Sequence, residues 1–316
     1  MMKICVRNKK RISANLLRQN VSFYLMMLPG FVATLVFSYL PIFGIIIAFK
    51  KFEPMQGIWG SPWAGLSNFA FLFRSSDSII ILRNTICYNL VFIFGGLVLN
   101  VGLAILLSSV TNKLRSKVYQ TVLMMPHFLS YIIVSYIVFA FLNTESGFIN
   151  ESILKKLGME AINWYVDPKP WPFILIFVHF WKSIGYGSVV YLAAIAGIDR
   201  EIYEAAEIDG ANGWKQILYI TLPSLKSIMI IMTILNIGKI FNADFGLFYQ
   251  VPMNSGALYN ATNVINTFVY NSLGQGGVLG VGMSSAASFF QSVVGFVLVL
   301  VSNAIVRKID AESAMF

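Results

Sequence analysis

Residues 199–223 read Asp199-Arg-Glu-Ile-Tyr-Glu-Ala-Ala-Glu-Ile-Asp-Gly-Ala-Asn-Gly-Trp-Lys-Gln-Ile-Leu-Tyr-Ile-Thr-Leu-Pro223. The stretch joins two long apolar runs, and its local chemistry predicts two short helices around a sharp turn. Asp199 suits an N-cap, whose side-chain oxygen takes an otherwise unpaired helix N–H. Ile202, Ala205, Ala206 and Ile208 fall near one face. Gly210 suits the left-handed residue that ends a helix. Asn212 can cap a second helix running into Leu222 and Pro223, with Pro223 near the first turn of the next span. From Asp199 to Gly213 there are five acidic residues (Asp199, Glu201, Glu204, Glu207, Asp209) against one basic residue, Arg200. A helix that rests on the inner leaflet is basic, because that leaflet is anionic. This one is repelled, which leaves two roles: a solvated connector, or a handle for a protein partner.

The sequence on either side has the composition of a membrane protein. Of 316 residues, 57% are hydrophobic and 12% charged, with a mean hydropathy of +0.71; soluble chains carry about 25% charged residues. The apolar residues gather into six runs, near 22–49, 79–110, 119–143, 171–197, 223–246 and 278–306. Each is long enough to cross hydrocarbon, which takes about 20 residues. The first holds Pro29, Gly30 and Pro41, so a bend is expected there. It is too long for a signal-peptide core and no small-residue cleavage site follows, so it reads as a retained helix. Lys and Arg sort by side. Fourteen lie in the N-terminal tail, the 111–118 loop, the 198–226 segment and the C-terminus; seven lie on the opposite side, whose 247–277 loop has none. By the positive-inside rule both termini and the 199–223 loop face the cytoplasm.

The net charge of +9 thus reflects topology, and no nucleic-acid partner is expected. Cys5 and Cys87 fall in the basic tail and an apolar span, at depths that keep them from pairing. His127 and His179 have no Cys or carboxylate cluster around them, so no metal site is expected. A Gly-x-x-x-x-Gly-Lys-Ser/Thr phosphate loop is absent. The glycine-rich run 274–282 lacks the lysine and reads as a close-packed helix start. No nucleophile–base constellation points to an enzyme. A secondary transporter would carry titratable groups at mid-membrane and paired repeats; this chain has few of the former and no evident repeat.

The 199–223 segment resembles the "EAA" loop of permease subunits of ATP-driven (ABC-type) importers: Glu-Ala-Ala, three residues, Gly, nine residues, Ile-x-Leu-Pro. Glu204-Ala205-Ala206, Gly210 and Ile220-Thr221-Leu222-Pro223 match at every fixed position. Trp63-Ala-Gly-Leu-Ser-Asn-Phe69 is similar to the first outer loop of sugar permeases. Met125-Pro-His-Phe-Leu-Ser130 and Gly280-Val-Gly-Met-Ser-Ser-Ala-Ala-Ser288 resemble segments of the oligosaccharide and polysaccharide group. The resemblance implies an all-α membrane protein of six transmembrane helices in the type I ABC importer permease fold, similar to the maltose-transporter architecture with fewer spans. It divides the chain into a basic cytoplasmic tail (1–20), a first helix and outer loop (21–82), a five-helix core (83–306) with its coupling loop at 199–222, and a cytoplasmic C-terminal tail (307–316). It implies a coupling helix that docks on an ATP-binding subunit through Glu204, Ala205, Ala206, Asp209, Gly210, Ala211, Leu222 and Pro223. The implied partners are a second, homologous permease subunit, two ATP-binding subunits and an extracytoplasmic solute-binding protein. ATP and Mg sit on the ATP-binding subunits, and this chain binds no cofactor. The implied cargo is a carbohydrate crossing the bacterial cytoplasmic membrane. A non-sugar solute is the alternative within the same architecture.

Ionisable residues inside spans cost roughly 2.5–3.5 kcal/mol on insertion scales. Lys182 and His179 fall in the fourth run, Lys239 and Asp244 in the outer half of the fifth. Lys182 sits midway, so a buried partner or a water-filled cavity is expected. A sugar path needs aromatic faces for rings and polar groups for hydroxyls; Tyr131, Tyr136, Trp181, Lys182, Tyr186, Asn236, Lys239, Phe241 and Asp244 are the candidates. Ordinary helix packing, with the interfacial enrichment of Trp and Tyr, is the better account of any single aromatic among them.

Overall fold

The computed structural model describes residues 20–70, 76–275, 277–310 and 314. The basic tail with Cys5, together with Arg74, Gly276 and most of 311–316, lies outside them. Five helices are singly long and apolar enough to cross a membrane: α1 (Val21–Phe49), α2 (Ser76–Ser108), and further along the chain α5, α7 and α9. Between them, α3 (Lys113–Phe128) and α4 (Tyr131–Leu142) make a sixth span bent by 95°. Then come α5 (Trp171–Ala196), the loop helix α6 (Arg200–Ile208), α7 (Gly213–Ile237), α8 (Ile265–Gln275) and α9 (Gly277–Ile309). Among the described residues the only β pairing is a single bridge between Lys50 and Trp63.

The bundle is built around α2 and α5, which pack along their length. On the half away from the 199–223 loop, Tyr88, Val134, Trp171, Leu175 and Val178 bury against Leu247, Phe248 and Leu258 from the chain after α7. On the loop half, Val101, Ala104, Tyr191, Ile195 and Leu225 form a second core. The α3–α5 contact is so close that a Cβ on Gly185 would overlap the Leu123 carbonyl oxygen. The first turns of α1, Val21–Thr34, bury nothing within the chain. Further on, α1 opens into a wide π turn before Pro41 and then tightens to a 3₁₀ helix, as a proline that cannot donate demands.

Three departures from the hydropathy reading have physical causes. The third span is expected as one helix over 119–143, but it starts at Lys113 and breaks after Phe128, where Pro126 sits in a 3₁₀ turn and Ser130 caps α4 by accepting from Ile133 N at 3.3 Å. The fifth span begins ten residues early, because Asn212 caps it and the wide turn Ile217–Thr221 makes room for Pro223. It also ends early, at Ile237 rather than 246. There α7 meets α9 backbone to backbone: a Cβ on Gly295 would overlap the Gly238 carbonyl oxygen. Lys239 and Asp244, expected inside the fifth span, therefore lie beyond its end.

The stretches 63–69 and 280–288 meet. Asn68 Nδ2 donates to the Ala48 and Lys50 carbonyls at 3.0 and 2.9 Å, closing the end of α1, and the same amide abuts Gly282 of α9. Phe49 packs on Phe69 and Phe289 at 5.4 and 5.3 Å between ring centroids. Asn68→Ala leaves two carbonyls at a helix end without their donor, a loss of about 1–3 kcal/mol for a buried group. Its expected effect is a lower unfolding midpoint for the protein in mild detergent; an unchanged midpoint would show the joint to be held by the aromatics alone.

Candidate functional site

The loop after α5 is built from local bonds. Asp199 Oδ1 accepts from Glu201 N at 3.0 Å and starts α6. At its end Ala211 N donates to Ala206 O at 2.8 Å and Gly210 N to Glu207 O at 3.0 Å, with Gly210 at φ +78°. These two bonds form a Schellman turn, which requires a left-handed residue four places after Ala206. That requirement is the physical content of the Glu-Ala-Ala to Gly spacing. Asn212 Oδ1 then accepts from Lys215 N at 3.0 Å and starts α7. The hydroxyls of Tyr203 and Thr221 lie 2.9 Å apart, and Thr221 is buried. So α6 is fastened to the base of α7 through both the turn and a side-chain bond.

What this unit exposes is large apolar side chains and a majority of acidic ones. Ile208 is 87% exposed and Trp214 75% exposed, with Glu204, Glu207 and Asp209 exposed beside them. Ala205 and Gly210 are exposed, while Ala206 and Ala211 are half-buried in the turn. Leu222 and Pro223 lie one level higher, where they line a cavity of about 700 Å³ with Leu97, Met229, Ile234 and Ile305.

The break in the third span gathers several of the predicted path residues. Lys182, on α5, reaches across to the break and donates from Nζ to His127 O at 2.6 Å, Leu129 O at 2.7 Å and Pro126 O at 3.4 Å. The expected buried partner is thus backbone: the His127 and Leu129 carbonyls, which the break releases from helical pairing, and the Pro126 carbonyl, which also accepts from Leu129 N at 3.2 Å. The ammonium also lies 5.0 Å from the centre of the Tyr131 ring. Tyr131 donates its hydroxyl to Asp244 Oδ2 at 2.8 Å, and Asp244 Oδ1 accepts from Gly246 N at 2.9 Å and Leu247 N at 3.3 Å. Tyr186 stacks on His127 with centroids 4.2 Å apart. Tyr136 and Trp181 are exposed on α4 and α5, and among the described residues no hydrogen bond or ring contact ties either to this cluster. Asn236 and Lys239 are exposed at and just past the end of α7. Phe241 packs on Phe290 at 5.5 Å. His179 stacks on Phe92 at 3.7 Å, within the core.

Sequence reasoning missed a set of amides. Asn89 Nδ2 donates to Ile240 O at 2.9 Å, and Gln291 Nε2 to Phe241 O at 2.5 Å. Asn266 Oδ1 accepts from Ala243 N at 3.1 Å, and Asn84 Nδ2 donates to the Asn260 and Asn263 carbonyls at 3.0 Å each. They serve the irregular chain between α7 and α8 as Lys182 serves the α3–α4 break. For Asn84, Asn89 and Gln291 the signal was in plain view, amides inside runs otherwise apolar; Asn266 lies in the polar 247–277 loop and carried none. Lys182→Met should lower the unfolding midpoint in detergent well beyond its neighbour Trp181→Phe, since carbonyls stripped of a donor cost about 1–3 kcal/mol each. Equal midpoints would mean that water replaces the ammonium.

Residues 93–311 match the family described as the binding-protein-dependent transport system inner membrane component. The chain is 36% identical to the polygalacturonan/rhamnogalacturonan transport system permease protein YteP of Bacillus subtilis, over 96% of this chain and 93% of that one. It is 35% identical to Protein LplB of the same organism, over 94% and 92%. Among solved structures it is similar to a bacterial ABC transporter involved in the import of the acidic polysaccharide alginate, with a TM-score of 0.82 and 31% identity over 93% of this chain and 98% of that one. A bacterial alginate ABC transporter in complex with an alginate pentasaccharide-bound periplasmic protein aligns with a TM-score of 0.83 and 29% identity, over 95% and 98%.

Proposed function

The chain belongs to the inner-membrane components of binding-protein-dependent transport systems, and from that premise we propose that it forms half of an ATP-driven import path for an oligosaccharide or polysaccharide fragment. The cargo reading is supported by what YteP is named for and by the alginate importers, together with the sugar-permease likeness of 63–69, 125–130 and 280–288. The loop and both termini face the cytoplasm, in line with the excess of Lys and Arg on that side. A second permease subunit completes the path, two ATP-binding subunits carry ATP and Mg, and an extracytoplasmic binding protein hands over the sugar. Tyr131, Tyr136, Trp181, Lys182, Tyr186, Asn236, Lys239, Phe241 and Asp244 supply the rings and polar groups along the path.

The observation that carries this reading is the α6 unit: exposed Ile208 and Trp214 among exposed, mainly acidic residues, fastened to the base of a membrane helix. An acidic surface is unsuited to the anionic leaflet and suited to a protein groove. Closure of the ATP-binding subunits would displace Ile208 and Trp214. The Schellman turn and the Tyr203–Thr221 bond pass that displacement into α7. The far end of α7 leads into the 238–246 segment, where Asp244 holds Tyr131 at the start of α4. A tilt of α7 therefore reaches the broken span as a rigid-body movement.

Glu204→Lys reverses charge on the docking face, and Gly210→Val puts a β-branched residue at a positive φ it cannot adopt without strain. Each is expected to abolish binding-protein-dependent uptake in proteoliposomes of the reconstituted complex while the membrane level of the chain stays normal. Full uptake by both variants would contradict the role given to the loop.

A further inference from the structure

At the end of the bundle opposite the 199–223 loop, the outer turns of α2 and α5 enclose a groove of about 380 Å³. Arg83, Cys87 and Val91 descend one wall at i, i+4 and i+8 on α2; Pro172 and Ile176 form the other wall on α5. Two cations stand at the rim, Arg83 and Lys169, and no carboxylate lines the groove. Among the described residues the ion pairs are Lys155–Glu151 and Lys226–Asp310, so neither rim cation has a salt-bridge partner there. Arg83 donates only to neutral oxygens: Asn84 Oδ1 at 3.0 Å, Asn260 O at 3.0 Å and Asn260 Oδ1 at 3.3 Å. Those bonds hold the guanidinium at the rim without neutralising it.

The walls below are carbon. From Arg83 to Val91 the helix rises about 12 Å, so a positive rim sits above an apolar trough deep enough for the upper part of an acyl chain. A sugar needs polar groups down the walls, and a free anion has no use for the trough. A lipid uses both: its phosphate meets the cations, its chain lies against Cys87, Val91 and Ile176. We infer that this groove is a binding site for one anionic glycerophospholipid of the leaflet opposite the 199–223 loop. The lipid there packs α2 against α5 at the level where Asn84 also holds the chain that leads into α8. The inference is independent of the cargo and of the ATP-binding partners.

Native mass spectrometry of the purified full chain, with 1-palmitoyl-2-oleoyl phosphatidylglycerol or the matching phosphatidylcholine added in equal amount, tests it. One phosphatidylglycerol should stay bound in clear preference to phosphatidylcholine. Arg83→Gln with Lys169→Gln should erase that preference, at about fivefold for each charge near the surface. Val91→Trp fills the trough and leaves both cations in place, and it should lower retention of either lipid. Lys155→Gln with Lys156→Gln should leave retention unchanged. Equal retention of both lipids by the wild-type chain, wild-type retention by the rim or trough variant, or displacement of the lipid by excess inorganic phosphate would each overturn the assignment.

Discussion

A peptide group in hydrocarbon has no water to bond, so every helix break inside a membrane must be closed by the protein itself. This chain breaks its helices at the end of α1, between α3 and α4, and beyond α7, and each break is closed by a side chain from elsewhere in the fold. Asn68 closes the first, Lys182 the second, and Asn84, Asn89, Asn266 and Gln291 the third. The energetics are consistent with this. Inserting a lysine at mid-span costs roughly 2.5–3.5 kcal/mol. Leaving the His127 and Leu129 carbonyls unpaired costs about 1–3 kcal/mol apiece, so the two effects are of similar size and the lysine offsets its own burial.

Two of the three joints fall on the segments that carry the likeness to sugar permeases. Residues 63–69 and 280–288 meet at Asn68 and Gly282, residues 125–130 are the break that Lys182 holds, and Gly210 is the left-handed hinge of the loop. A straight helix can be made by many sequences. A sealed break needs a particular donor at a particular depth, which restricts the residues far more. Asp244 links two of the joints, since it caps the turn after α7 and receives the Tyr131 hydroxyl from the start of α4. Movement imposed on α6 thus has a bonded route to the middle of the membrane, made of groups that are polar because they hold backbone.

Much of this was legible from residues alone. The 22–49 and 171–197 runs correspond to Val21–Phe49 and Trp171–Ala196, because long apolar stretches admit few other structures. The caps at Asp199 and Asn212 and the turn at Gly210 were legible because capping is decided within a few residues. The extent of the span built on α7 was not. The helix that Asn212 starts carries no hydropathy signal over its first turns, so it did not read as part of the span, and its end is set by Gly295, far along the chain on α9. Pro126 marked the third span for a break, but proline alone does not distinguish a kink from a right-angled turn. Lys182 announced its cost, while its partners lie 53 to 56 residues away, a distance no local pattern spans. The same holds for Arg83, which in sequence is one more charge on the less basic side.

The central claim is that α6 and the base of α7 move as one body when the ATP-binding subunits close. Pulsed electron resonance on the assembled transporter, with both native cysteines of this chain, Cys5 and Cys87, replaced and spin labels introduced in pairs at the exposed positions Ile208, Tyr219 and Ser109, measures this directly. On addition of ATP the 208–219 separation, within the fastened unit, should keep its mean and width, while the 208–109 separation, from the unit to the end of α2, should shift by a few ångströms. A 208–219 distribution that moves or broadens while 208–109 stands still would mean that the loop swings free of α7.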